Sequence, residues 1–165
     1  MSSRRFSMLG LVVVLAGLTA WGSAHPLTDQ QEAAYRAQIT GVDGSGAKGL
    51  AALKVQGEQL TVRMRLQGVA SGRAHGVHIH SGSSCDSPGG VLVPLDQSLG
   101  TIEDGFGGTF PTANEKGQIV YSQRGSNSEF AGLDLGNRVI VVHAGTPDNG
   151  NPGPVACGTI DPQQG

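Results

Sequence analysis

Residues 59–69, QLTVRMRLQGV, alternate without a break: Leu60, Val62, Met64 and Leu66 fall on one face, Thr61, Arg63, Arg65 and Gln67 on the other. A side-chain period of two belongs to a β-strand with one face buried and one in water; a helix would scatter these apolar residues around its circumference. The strand is therefore expected in an antiparallel sheet whose outer face is solvated. Before it, GLAALKV followed by QGEQ reads as a partner strand and hairpin turn. GQIVYSQ (117–123) and RVIVVHAG (138–145) are β-branched runs bounded by Gly, Asn and Ser. The 27 glycines form no repeat and only 4% of residues are aromatic, which fits short strands joined by turns. Seven or so such strands indicate an all-β sandwich or barrel. Only LTDQQEAAYRAQ (27–38) has the composition of a helix, and it reads equally as a tail leading into the first strand. The stretches 81–114 and 145–154, rich in Gly, Pro, Ser and Asp, are expected to be long loops, where function gathers on a rigid β scaffold.

The first residues, MSSRRFSMLGLVVVLAGLTAWGSA, combine Arg4 and Arg5, an apolar run from Met8 to about Trp21, and small residues ending at Ala24. This is the pattern of an export signal, too short in its apolar part for a membrane span of roughly 20 residues. The expected organisation is a signal peptide over 1–24, an N-terminal tail over 25–38 and one β-domain over 39–165, with the protein periplasmic or secreted. Without Arg4 and Arg5, 9 basic residues stand against 13 acidic ones, a net charge of −4. No Lys/Arg cluster appears along the chain, so neither nucleic acid nor, after signal cleavage, a membrane is expected as a partner. Self-assembly has no decisive signal in the sequence.

Cys85 and Cys157 are the only cysteines. In an exported chain a disulfide between them is the expected state, and two thiolates acting as metal ligands are the competing reading. The bond would close a loop of about 70 residues, for which chain entropy gives at most about 4 kcal/mol.

AHGVHIHSG, residues 74–82, holds three of the five histidines. His78 and His80, two apart on a strand, leave the same face about 7 Å from each other. His143 ends the VIVVH run, where a core strand emerges at a rim, so imidazoles from two strands could converge on copper, zinc, nickel or iron. H-x-H is a weak signal alone, and ordinary hydrogen-bonded histidines are the alternative. His75 has the opposite parity and reads as a structural histidine that fixes the approach to the site through its hydrogen bonds. His25 would become the mature N-terminus, where amine and ring together can chelate copper; an incidental tail residue is the competing reading.

GVASGRAHGVHIHSGSSC resembles the G-L-x-P-G-x-H-G-F-H-I-H-x-x-G-x-C segment of copper-zinc superoxide dismutases. NRVIVVHAGTPDNG and GPVACGTI are similar to that family's later segments, in the same order, from about Gly49 to Ile160. The resemblance implies a Greek-key β-barrel or sandwich of about eight antiparallel strands with one disulfide, Cys85–Cys157. It also implies His78, His80 and His143 as ligands through which one copper per chain would be catalytic, His75 as the structural histidine, and superoxide as substrate.

The chain departs from the family where the second metal sits. Val91, in PGGVLVP, stands where the family has the histidine that bridges copper and zinc, and no histidine lies between His80 and His143. FGGTFP (106–111) puts Phe106 and Thr109 at the positions of zinc ligands, so zinc is not expected. Pro154 occupies the position of the family's anion-guiding arginine; Arg73, Arg124 and Arg138 are the candidates for substitute positive charge, and Arg138 matches a family arginine that opens the histidine's strand. Three functions are consistent with this pattern: a copper-only dismutase with impaired turnover, a non-catalytic copper buffer or delivery protein, and a metal-free interaction module on the same fold.

Overall fold

The computed structural model describes residues 34–95, 110–146 and 152–163. The signal-like segment, His25, Phe106 and Thr109 lie outside the described residues. Eight strands form: β1 (Tyr35–Gly41), β2 (Lys48–Gln56), β3 (Gln59–Gln67), β4 (Val77–His80), β5 (Val91–Pro94), β6 (Gln118–Ser126), β7 (Arg138–His143) and β8 (Pro154–Pro162). Among the described residues, helix is confined to one 3₁₀ turn, Ser128–Phe130.

All pairings are antiparallel, in the order β5-β4-β7-β8-β1-β2-β3-β6. β3 pairs with β6 and β4 with β7, so the connections β3 to β4 and β6 to β7 cross the ends of the sheet in Greek-key fashion. The sheet curls: Val93 of β5 and Ile119 of β6, from its two edges, belong to one buried cluster with Ile39, Leu53, Leu60 and Ile160. Tyr121 of β6 donates its hydroxyl to the carbonyl of Leu95, just past β5, and so ties the edges of this half-barrel.

β3 follows its alternation, with Leu60, Val62, Met64 and Leu66 buried and Arg63, Arg65 and Gln67 exposed. Each fully buried aliphatic of this size stabilises the fold by roughly 1.5–3 kcal/mol. β7 differs, because Ile140 and Val142 face the main core while Val139 and Val141 pack with Cys157 and the half-buried Val42 on the other side of the sheet. Its unbroken β-branched run is the pattern of a strand buried on both faces.

Three expectations need correction. β1 begins at Tyr35, inside the stretch read as helix or tail, because Tyr35–Thr40 pairs in register with Leu53–Lys48. The expected loop 81–114 contains β5, which Gly-Pro-Ser composition masks and pairing with β4 specifies; Pro154, placed in the last loop, opens β8. No cationic run exists along the chain, yet the register gathers cations from four strands on one outer sheet face.

Candidate metal centre

β4 is short and buried throughout, with Val77 and Ile79 in the core and His78 and His80 each 8% exposed on the opposite face. Its register against β7, His78 opposite Val141 and His80 opposite Val139, puts both imidazoles on the side of the Val139–Val141–Cys157 cluster. His143 ends β7 on that side, and its amide donates to the carbonyl of Gly76 at 2.8 Å. The ring centroids of His78 and His143 are 4.9 Å apart, those of His78 and His80 5.9 Å, and those of His80 and His143 6.0 Å. One nitrogen from each ring lies within 4.8 Å of the others, the one such group of potential ligands among the described residues.

Backbone carbonyls decide which nitrogens point inward. His80 donates Nδ1–H to Gly89 O at 3.0 Å, and His143 donates Nδ1–H to Pro152 O at 3.0 Å. In each neutral ring the lone pair is thereby left on Nε2. His80 Nε2 is buried without a hydrogen-bond partner. A buried nitrogen lone pair with no donor is unfavourable unless something else fills it, and a cation does so. His78 contributes Nδ1, 3.2 Å from His143 Nε2. Three neutral nitrogens from two strands suit a soft or borderline metal such as copper or zinc, so the donor set fits the ion expected from the resemblance.

His75 lies outside the triad and is fully buried; its Nδ1 is 2.7 Å from the carbonyl of His143 and its Nε2 3.5 Å from that of Ala70. It holds the end of β7 from behind. Cys85 and Cys157 form a disulfide with Cα atoms 5.8 Å apart. The bond pins the 81–90 loop over β8. Within that loop Ser81 N–H donates to Gly90 O at 2.9 Å and Gly82 N–H to Pro88 O at 2.6 Å.

Gly89, which sequence reasoning missed, is conformationally required here. Its φ is +74°, and a Cβ would lie 2.8 Å from Gly82 N and from Ser81 Oγ. The Pro-Gly-Gly run signals a turn; only the folded loop aims the Gly89 carbonyl at His80. Pro152 was missed for the same reason.

Of the arginines considered, Arg138 donates from Nη1 to Ser81 O at 2.7 Å and so fastens the residue after His80. Arg124 stands on β6, at the far end of the sheet order from β4. Arg73 is exposed and lines a groove with Ala74, Ala144, Gly145 and Pro152, beside the end of β7. Val91 faces His80 in the β4–β5 register and is 52% exposed, while Pro154 faces His143 across β7–β8.

Fold and site together define an all-β protein that presents three imidazoles to one point on the outside of a curled sheet. The profile of the copper/zinc superoxide dismutase (SODC) family matches residues 47–160, and the chain belongs to that family. No curated protein matches the chain.

Proposed function

We propose that this chain is an exported, copper-only member of its family that holds one copper on His78 Nδ1, His80 Nε2 and His143 Nε2 and dismutes superoxide, with turnover below that of a complete site. The observation that carries the reading is the buried, partnerless Nε2 of His80, in a three-histidine cluster where carbonyls hold the Nδ1–H groups of His80 and His143. Bound there, copper supplies the one-electron redox cycling that converts superoxide to hydrogen peroxide and oxygen.

The protein's part is positional. Gly89 and Pro152 keep the Nδ1 protons of His80 and His143 away from the metal, and His75 fixes the backbone beneath His143. Outer partners of this kind hold ligand tautomer and orientation. Zinc is not expected, because Val91 replaces the bridging imidazole beside His80. Val91 donates no proton, so protons reach the site from solvent. Pro154, exposed and opposite His143, brings no positive charge where the anion enters. An anion-focusing field raises association roughly 10 to 1,000-fold, which sets the scale of the impairment.

That missing charge also favours a second reading, a copper-holding protein without significant turnover. Superoxide decay measured on protein whose copper and zinc contents are known separates the two. One copper, no zinc and decay well above that of the metal-free protein support the enzyme; bound copper with decay at the metal-free rate assigns the chain to copper handling.

A further inference from the structure

Six of the nine Lys and Arg residues that follow residue 24 stand on the outer face of β1, β2, β3 and β6. They are Arg36, Lys48, Lys54, Arg63, Arg65 and Arg124. Arg63 is the hub: its direct cross-strand partners are Ala52 and Ser122, Arg65 lies two residues along the same strand, and Lys54 and Arg124 are its diagonal neighbours. Diagonal positions are about 7–8 Å apart. All six are exposed except Arg36, which is half-buried. Among the described residues no acidic side chain occupies an outward position of β2, β3 or β6, and Asp161 of β8, opposite Arg36, marks the border. In a chain with acids in excess, this is segregated charge, and like charges on adjacent strands repel unless an anion lies against them.

Two aliphatic side chains interrupt the cations. Leu50 and Val120 flank Arg65 in one cross-strand row and are 61% and 76% exposed. Strand spacing and rise make the whole face about 15 Å across and 20 Å long.

From this arrangement we propose that the face docks on an anionic lipid bilayer, with the cations on headgroup phosphates and Leu50 and Val120 at the boundary of the acyl chains. Interfacial binding combines these two contributions. The face offers no aromatic ring on which a nucleobase would stack. A second copy using the same face would set cation against cation. A soluble polyanion would engage the arginines and gain nothing from the aliphatic pair. The strands that carry the histidines lie at the other end of the sheet order, so the docked face and the histidine face are separate.

Flotation of the full chain with vesicles of phosphatidylcholine alone, and of an equal mixture with phosphatidylglycerol, tests the proposal. The Met8–Trp21 segment is common to wild type and variants, so differences between them report the sheet face. Each cation near an anionic surface strengthens binding about fivefold, and wild type is expected to prefer the anionic vesicles at least tenfold, less so as salt rises. The K54Q/R63Q/R65Q/R124Q variant is expected to lose that preference. L50S/V120S is expected to bind anionic vesicles several-fold more weakly while binding a soluble sulfated polysaccharide as wild type does. Equal binding of wild type and the quadruple variant to anionic vesicles overturns the proposal. An aliphatic variant with unchanged vesicle affinity assigns the face to soluble polyanions and overturns it as well.

Discussion

His78 Nδ1 lies 3.2 Å from His143 Nε2, although the two residues are 65 positions apart in the chain. Because His143 donates its own Nδ1 proton to Pro152, the hydrogen between the two rings in the neutral, metal-free protein belongs to His78. A metal bound by the triad would take the place of that proton. The histidine pair is thus held close by the β4–β7 ladder before any ion arrives, which lowers the ordering cost of binding.

Replacing His80 with Ala removes the one buried ring nitrogen of the triad that lacks a partner. Copper affinity is expected to fall by at least about 100-fold, beyond the 10–100-fold typical of losing an outer hydrogen bond. The disulfide and the main core are untouched, so thermal unfolding of the metal-free protein should change little. Isothermal titration with copper measures the first effect; an unchanged affinity would place the ion elsewhere.

Gly89→Ala tests the carbonyl that orients His80. The added Cβ meets Gly82 N and Ser81 Oγ at 2.8 Å, and the φ of +74° is unfavourable for alanine. Copper affinity is expected to drop about 10–100-fold with all three histidines in place. Retained affinity would show that His80 keeps its tautomer without this hydrogen bond.

Conversion of His75 to Phe keeps the volume and deletes both ring nitrogens. The carbonyl of His143 then loses its 2.7 Å donor inside the protein. A stability loss of about 0.5–1.5 kcal/mol is expected from the lost hydrogen bond. Denaturant unfolding of the metal-free variant reads it, and a change below about 0.5 kcal/mol, the range of ordinary surface substitutions, would contradict the role given to His75.

Substituting both cysteines with Ser opens a bond that spans 72 residues. Chain entropy sets an upper loss of about 4 kcal/mol. Copper affinity should fall as well, because the 81–90 loop that carries Gly89 is released from β8. A double variant that loses stability and keeps wild-type copper affinity would separate the disulfide from the site.

Restoring Val91→His together with Pro154→Arg places an imidazole beside His80 and a guanidinium opposite His143, in the registers of β4–β5 and β7–β8. Superoxide consumption per bound copper should rise at least about tenfold, the low end of electrostatic focusing. Stopped-flow decay of superoxide measures this, and no gain would mean that loop shape, not the missing residues, limits turnover.

The readable parts of the sequence were those where one face is wet and one dry. β3 alternates and was legible residue by residue; β7 is buried on both sides, so its VIVV run revealed a strand but not that the Val139–Val141 face carries a second buried cluster with Cys157. β5 was hidden because it has four residues amid turn formers and is specified by its partner β4. The histidine pair was visible as H-x-H, whereas the carbonyls of Gly89 and Pro152 carry no side-chain signature. The cationic face escaped for a related reason: its members alternate with apolar residues on separate strands, and only the register brings Arg63 beside Lys54 and Arg124.

The most direct test of the three-histidine copper site is electron paramagnetic resonance of the protein loaded with one equivalent of copper(II), compared with the His80→Ala and His143→Ala variants. Coupling to three imidazole nitrogens is expected in the wild type, with loss of that spectrum in both variants. A wild-type spectrum that survives both substitutions, or one dominated by an amine and backbone amide nitrogens, would contradict it.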